Sequence, residues 1–297
     1  MLKNKKKKAR PAEVIVECIT LFLLAVVGIV TAVPFLYVIS MSLTSDVALG
    51  SEGVKLIPAG FSLDAYNYLF KNAESLIRAY GVTIFVTIAG TFLGTMMAIF
   101  FAYPLSKRSL PGRKGFMMYI LFSMMFSGGI IPFYLVVRGI GLGDSIWALI
   151  LPSCWSSWNM ILVRNFFQSL PAHLDEAAKL DGANDIQTLF YIIIPLSKPI
   201  IATIALYFAV GFWNSWYNAL LFIDDSAKQP LMMFLKNIME TKNVGAALIG
   251  SSSVTDIPAS ESLRMATVVV CTLPILCVYP FIQKYFVKGV MVGSVKG

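Results

Sequence analysis

The sequence predicts an all-α integral membrane protein with six transmembrane helices. Three observations carry that prediction: an apolar composition, six long stretches with few or no charges, and an uneven placement of the basic residues. Of 297 residues, 57% are hydrophobic and only 13% are charged, whereas a soluble domain carries about 25% charged residues. The mean hydropathy of +0.75 points the same way.

A membrane-spanning helix needs about 20 apolar residues. The first stretch covers residues 14–44 and runs uncharged from Glu17 to Ser45. A signal-peptide core is about 7–15 residues long, so this stretch reads as a retained helix. The second covers residues 81–103, 23 positions without a charge. It sets Gly90, Gly94, Ala98 and Ala102 four apart, on one helix face, where small side chains let two helices approach closely in lipid. The third, residues 115–137, holds Ser127-Gly128-Gly129 and Pro132. Freed backbone groups at membrane depth are tolerated against protein or a wet cavity. Residues 127–132 are therefore either a pathway lining or the ordinary Gly and Pro of a spanning helix. The fourth covers 145–163, the fifth 199–223, and the sixth 265–283 with Pro274 and Pro280 inside it.

Six spans place both termini on one side, and the positive-inside rule orients them. With the N-terminus inside, the inner segments hold 16 Lys and Arg and the outer segments 8. Lys3, Lys5, Lys6, Lys7, Lys8 and Arg10 precede the first span, and Lys107, Arg108, Arg113 and Lys114 fill one short loop. The expected layout is a basic cytoplasmic N-terminus over residues 1–13 and a six-helix transmembrane domain over 14–297, oriented N-in and C-in. The net charge of +8 is thus a membrane topology signal and excludes nucleic acid as a partner. Two long outer segments, 45–77 and 224–263, are candidate surfaces for an external partner or plain connections. The second contains Gly250-Ser251-Ser252-Ser253. Cys18, Cys154, Cys271 and Cys277 lie in apolar segments without C-x-x-C spacing and read as buried thiols. The lone His173 has no neighbours for a metal site, and the spans hold no catalytic dyad.

The inner loop over residues 164–198 carries the most local information. Pro171 suits a first helical turn. Asp175 and Glu176 follow at the positive end of the helix dipole, and Gly182 is a stop that adopts left-handed geometry cheaply. Asn184 with Gln187 three positions later matches a capping box. Leu174, Ala177, Ala178 and Asp181 are expected on one narrow face that fits a groove on another protein, with Glu176 and Asp181 as anionic contacts. An interfacial helix would instead carry Lys or Arg opposite bulky apolar residues.

This loop also carries a resemblance. Glu176-Ala177-Ala178-Lys179-Leu180-Asp181-Gly182-Ala183, followed by Phe190, Ile193, Pro195 and Pro199, resembles the EAA loop of bacterial ABC importer permeases. Residues 61–66, Phe-Ser-Leu-Asp-Ala-Tyr, and the tail over 283–297 are similar to maltose-type carbohydrate-uptake permeases, most of all to the Gram-positive branch for oligosaccharides and polysaccharide fragments. Ile194 departs from the commoner Leu. The resemblance implies a type I ABC importer permease fold in a bacterial cell membrane, and a transport subunit rather than an enzyme. It implies that Glu176, Ala177, Ala178, Leu180, Asp181, Gly182 and Ala183 couple the chain to an ATPase. The implied partners are a second homologous permease subunit, two copies of a cytoplasmic ABC ATPase, an extracellular solute-binding lipoprotein, membrane lipid and a carbohydrate substrate. The chain has no G-x-x-x-x-G-K-[ST] loop, so no cofactor is expected on it, and ATP and Mg belong to the ATPase.

Candidate pathway residues cluster at the end of the fifth span, Trp213, Asn214, Trp216 and Asn218, with Trp158 and Asn159 in the fourth. Aromatic faces and amide groups suit sugar rings and hydroxyls. Trp also forms interfacial belts, and Asn also bonds between helices. A secondary transporter is disfavoured because the central parts of the spans lack ionisable residues. A permease of the same type for a non-sugar solute is the other alternative.

Overall fold

The computed structural model describes residues 11–240 and 260–294 apart from positions 54, 72 and 172, without the side chains of residues 11–14, 52 and 278–294. The Gly250–Ser253 stretch and the side chains of the C-terminal tail lie outside the described residues. The chain divides into two compact units, residues 1–71 with 258–270, and residues 72–257 with 271–297.

In the first unit, α1 (Pro11–Ser42) contains the first predicted span, long and apolar enough over Ile15–Ser42 to cross a membrane. None of its most apolar window is buried, so its whole circumference requires an apolar environment. Helix α2 (Asp46–Glu52) is capped by Ser45, whose hydroxyl accepts from the Ala48 N–H. Helix α3 (Asp64–Lys71) buries Ala65 and Leu69. The Tyr66 and Ser42 hydroxyls bond each other at 2.8 Å, which fixes α3 against the end of α1. Two of the four cysteines, Cys154 and Cys271, are buried, whereas Cys18 and Cys277 are exposed. Cys18 departs from the expectation because it sits on the uncovered α1.

The second unit is organised by α4 (Glu74–Ser106), 33 residues whose interior is uncharged between Arg78 and Lys107. The expected small-residue stripe is in contact with α12 (Lys198–Trp213). A Cβ on Gly90 would stand 2.5 Å from the Phe212 ring, and one on Gly94 would stand 2.8 Å from the Phe208 ring. Ala98 and Ala102 continue the stripe as buried residues. Because lipid tails are as apolar as Leu, this pairing is stabilised by close packing rather than by water release. Helix α8 (Ser157–Ser169) buries Met160, Val163 and Phe167, and Phe167 meets Tyr103 of α4 edge-on at 6.4 Å.

Three predicted spans are not single helices. The third consists of α5 (Arg113–Met125) and α6 (Ile130–Gly139), bent by 111°. The bend contains Gly129 at φ +87, and the Ser127 hydroxyl accepts from the Gly129 N–H. The fourth is broken into α7 (Trp147–Ile150), a 3-10 turn over Leu151–Ser153 and α8. Pro152 sits at the start of that turn, where it supplies no N–H to continue a helix. In the fifth, α12 stops at Trp213 and the chain resumes as α13 (Tyr217–Phe222). There both the backbone N–H and the carboxamide of Asn214 donate to the Val210 carbonyl, a side-chain competition that interrupts helices. Helix α14 (Leu231–Glu240) follows, and α15 (Glu261–Ser294), whose residues up to Val270 belong to the first unit, runs through Pro274 and Pro280. Here the larger unit also contains α9 (His173–Leu180), α10 (Asp185–Thr188) and α11 (Ile194–Leu196).

Candidate functional site

The inner loop folds as the local signals require. Helix α9 carries Asp175 and Glu176 in its first turn. It closes through Gly182 at φ +78, with Gly182 N–H donating to the Lys179 carbonyl at 3.1 Å and Ala183 N–H to Ala178 at 2.9 Å. That left-handed closure satisfies carbonyls the helix end would otherwise orphan. Asn184 starts α10 with both bonds of the capping box: Gln187 N–H donates to Asn184 Oδ1 at 2.8 Å, and Asn184 N–H to Gln187 Oε1 at 3.0 Å. The chain continues through a π-helical turn, Leu189–Ile193, and α11. It then turns by 85° into α12. Pro199 occupies the start of α12, where its missing N–H is harmless. No free linker separates α9 from the small-residue contact on α4.

The same loop is tied to the end of α4. Lys107 forms an ion pair with Asp175 of α9 and lies 4.4 Å from the Tyr103 ring centre. Arg164 Nε donates to the Leu105 carbonyl at 3.3 Å, and Gln168 Nε2 to the Ser106 carbonyl at 3.2 Å. These are last-turn carbonyls of α4, which lack intrahelical donors. Burial pulls the Lys107 ammonium down, but the Asp175 carboxylate and Tyr103 together outweigh it and hold the group above the ordinary lysine value.

The faces of α9 divide differently from the expectation. Ala178 is 3% exposed and Leu174 is half-buried, whereas Ala177 and Asp181 are exposed. Successive residues project about 100° apart on a helix, so Ala177 and Ala178 cannot serve the same narrow contact. The outward face is Glu176, Ala177, Asp181 and Leu180, the last 89% exposed. An acidic rim around one bare leucine remains available to another protein.

A cavity of about 380 Å³ opens where α8 begins and α12 ends. Four of the six candidate pathway residues line it: Asn159, Asn214, Trp216 and Asn218. Trp158 and Trp213 do not line it. Each is the helical neighbour of a lining Asn, and the turn of the helix sends it elsewhere. Trp216 and Tyr217 meet edge-on at 5.6 Å. Asn218 Nδ2 donates to Ser153 Oγ at 2.9 Å, and Asn214 is already committed to Val210. Ser153 and Ser156 also line the cavity. The sequence reading missed both, although Ser156 followed by Asn159 has helix-cap spacing. Ser156 Oγ accepts from the Asn159 N–H at 3.2 Å. Residues 127–132 do not line this cavity.

A second polar cluster had no motif to announce it. Asp144, at φ +52, accepts from the N–H groups of Asp224 and Asp225 at 3.1 and 3.0 Å. Lys228 Nζ donates to Asp144 Oδ2 at 2.7 Å, and Arg138 pairs with Asp224 at 2.8 Å. The Lys228 ammonium holds the Asp144 carboxyl below its ordinary range, and Asp144 in turn raises Lys228.

Residues 90–292 match the family described as binding-protein-dependent transport system inner membrane component. The protein LplC of Bacillus subtilis is 45% identical over 271 residues, 91% of each chain. The polygalacturonan/rhamnogalacturonan transport system permease protein YtcP of the same organism is 43% identical, over 91% of this chain and 94% of its own. A chain in the crystal structure of a bacterial ABC transporter involved in import of the acidic polysaccharide alginate superposes with a TM-score of 0.84. It is 33% identical, and the match covers 95% of this chain and 100% of that one. The fold is that of an all-helical type I ABC permease, and the chain belongs to the family of inner-membrane components of binding-protein-dependent transport systems.

Proposed function

We propose that this chain is one membrane-spanning half of an ATP-driven importer that carries an oligosaccharide into the cytoplasm. It crosses the membrane six times with both termini inside, as the 16 to 8 division of basic residues supports. Its partners are a second homologous permease, two copies of a cytoplasmic ABC ATPase that bind ATP and Mg, and an extracellular solute-binding lipoprotein. The sugar assignment is supported by relatives whose names specify transport of polygalacturonan/rhamnogalacturonan, of arabinooligosaccharides and of an acidic polysaccharide.

The observation that carries the reading is the joint attachment of α9. Its outward face, Glu176, Ala177, Leu180 and Asp181, docks on the ATPase, while Gly182 and Ala183 close the helix behind it. Any displacement given to α9 passes along the chain into α12 and, through the Lys107–Asp175 pair, into the end of α4, which Arg164 and Gln168 of α8 also hold. The interlocked Gly90 and Phe212 then make α4 and α12 move together. A cavity at the far end of α12 is thereby opened or closed by ATPase engagement. The test is uptake of labelled oligosaccharides by the full complex in proteoliposomes. Uptake is expected to require ATP, the binding protein and the ATPase. Uptake driven by an ion gradient without ATP, or confined to non-sugar solutes, overturns the reading.

A further inference from the structure

Two further cavities meet at the loop that joins α4 to α5. One, of about 850 Å³, is bounded by the end of α4, the start of α5 and Trp155. Phe101, Leu105, Phe116, Tyr119 and Ile120 form much of its wall, and among the described residues no charged side chain lines it. Phe116 and Tyr119 remain 57% and 72% exposed, an apolar surface of the kind that marks an interaction site. Among the described residues it has no lining residue in common with the α8–α12 cavity.

The other cavity, of about 770 Å³, has the opposite character. It shares Leu110 and Gly112 with the first, and Arg108, Arg113, Lys114 and Arg164 line it. Among the described residues none of these four forms an ion pair with a carboxylate. Asp175 and Glu176 border a neighbouring cleft together with Arg108 and Arg113, but Asp175 is paired with Lys107. Burial holds the Arg164 guanidinium below its ordinary value, and the charge of Arg113 adds to the effect. Like charges gathered in this way repel one another, and an anion from outside the chain relieves that repulsion.

We propose that the two cavities together bind one anionic phospholipid, with an acyl chain in the apolar cavity and the phosphate among Arg108, Arg113, Lys114 and Arg164. Each half excludes a simpler ligand. A free phosphate ion has no use for the apolar wall, and a neutral lipid leaves the cations unanswered. An amphiphile with a negative head satisfies both. Guanidinium forks match phosphate oxygens bidentately. The loop lies between the second and third apolar stretches, at the cytoplasmic surface in the orientation proposed above. Basic pockets between helices on that side take acidic head groups.

The test uses the intact complex in detergent, given equal amounts of phosphatidylglycerol and phosphatidylcholine with the same acyl chains. Native mass spectrometry counts the lipid retained. The other subunits contribute the same background throughout, so differences between variants report this site. The wild type is expected to favour phosphatidylglycerol by more than about tenfold, since each basic group near the surface adds to the attraction. Arg113→Gln combined with Lys114→Gln is expected to lower that preference severalfold. Gly115→Trp keeps every charge but fills the apolar cavity, which Gly115 lines. Nothing lies within 4 Å of a Cβ placed there, so the helix accommodates it. It is expected to lower the phosphatidylglycerol retained severalfold. Unchanged retention in the assembled Gly115→Trp complex means that a basic surface alone attracts the head group, and overturns the site. An unchanged preference in the assembled double variant overturns it too. So does equal retention of both lipids by the wild type, the result expected if the partner permease covers these cavities.

Discussion

Around α9, polar side chains are spent on the chain itself. Lys107 is paired with Asp175, Arg164 and Gln168 cap the end of α4, and Asn184 and Gln187 cap one another. In the wall of the cavity, Asn214 and Asn218 are spent in the same way, but Asn159 is not. The difference fits what the proposed function asks of each region. A segment that transmits displacement needs one geometry, so its polar groups remove alternatives. A site that receives a guest must keep bonding capacity in reserve.

The sharpest way to break this comparison is at Gly182. Nothing lies within 4 Å of a Cβ placed there, so the constraint is the φ of +78 alone. Left-handed backbone costs an L residue about 1–2 kcal/mol, and a β-branched side chain tolerates it worst. Gly182→Val is expected to reopen the closure of α9 and reduce uptake by more than about tenfold, with assembly and membrane insertion intact by gel filtration and fractionation. Full uptake by the assembled variant removes the claim that a single loop geometry transmits the ATPase movement.

The next test addresses the tie between α9 and α4. Exposed ion pairs contribute about 0–1 kcal/mol, but the Lys107 side chain is only 21% exposed. Its raised lysine value means Lys107 keeps its charge throughout the physiological range and gives it up only as pH climbs through that value. Lys107→Glu, facing Asp175, is expected to reduce sugar delivered per ATP hydrolysed severalfold. Combining it with Asp175→Lys restores opposite charges and is expected to recover most of the loss. If the double variant is no better than the worse single one, the pair is not a transmitting contact.

Legibility in the sequence divided along physical lines. The Gly182 stop, the Asn184–Gln187 box and the Gly90–Ala102 stripe were readable because each depends on neighbours within one or two turns. The breaks at residues 126–129, 154–156 and 214–216 were not, since the length of an apolar run says nothing about helical continuity. The Lys107–Asp175 tie joins segments separated by two further apolar stretches. Trp158 and Trp213 fall outside the cavity lining, because composition marks a region as sugar-compatible without saying where each side chain points. Leu180 was legible only through the EAA resemblance, and its exposure gives that resemblance a physical face.

The smallest expected effect sharpens the comparison from outside both regions. The Asp144 cluster is as thoroughly bonded as the α9 segment, but it lies on no covalent or ion-paired path between α9 and α12. Asp144→Asn keeps an oxygen for the Asp224 and Asp225 N–H groups and tolerates positive φ, losing only the charge opposite Lys228. Sugar uptake is expected to remain at wild-type level, with the melting temperature lowered by only about a few degrees. Because Lys228 depresses the Asp144 carboxyl value, the wild-type advantage is fully present above the ordinary carboxylate value of about 4. It disappears as pH falls through the lower folded value. Melting curves of the purified complex at neutral and acid pH check the sign. A strong uptake defect at neutral pH would show that dense bonding alone, wherever it stands, supports transport, and the distinction drawn between transmitting and receiving regions would fail.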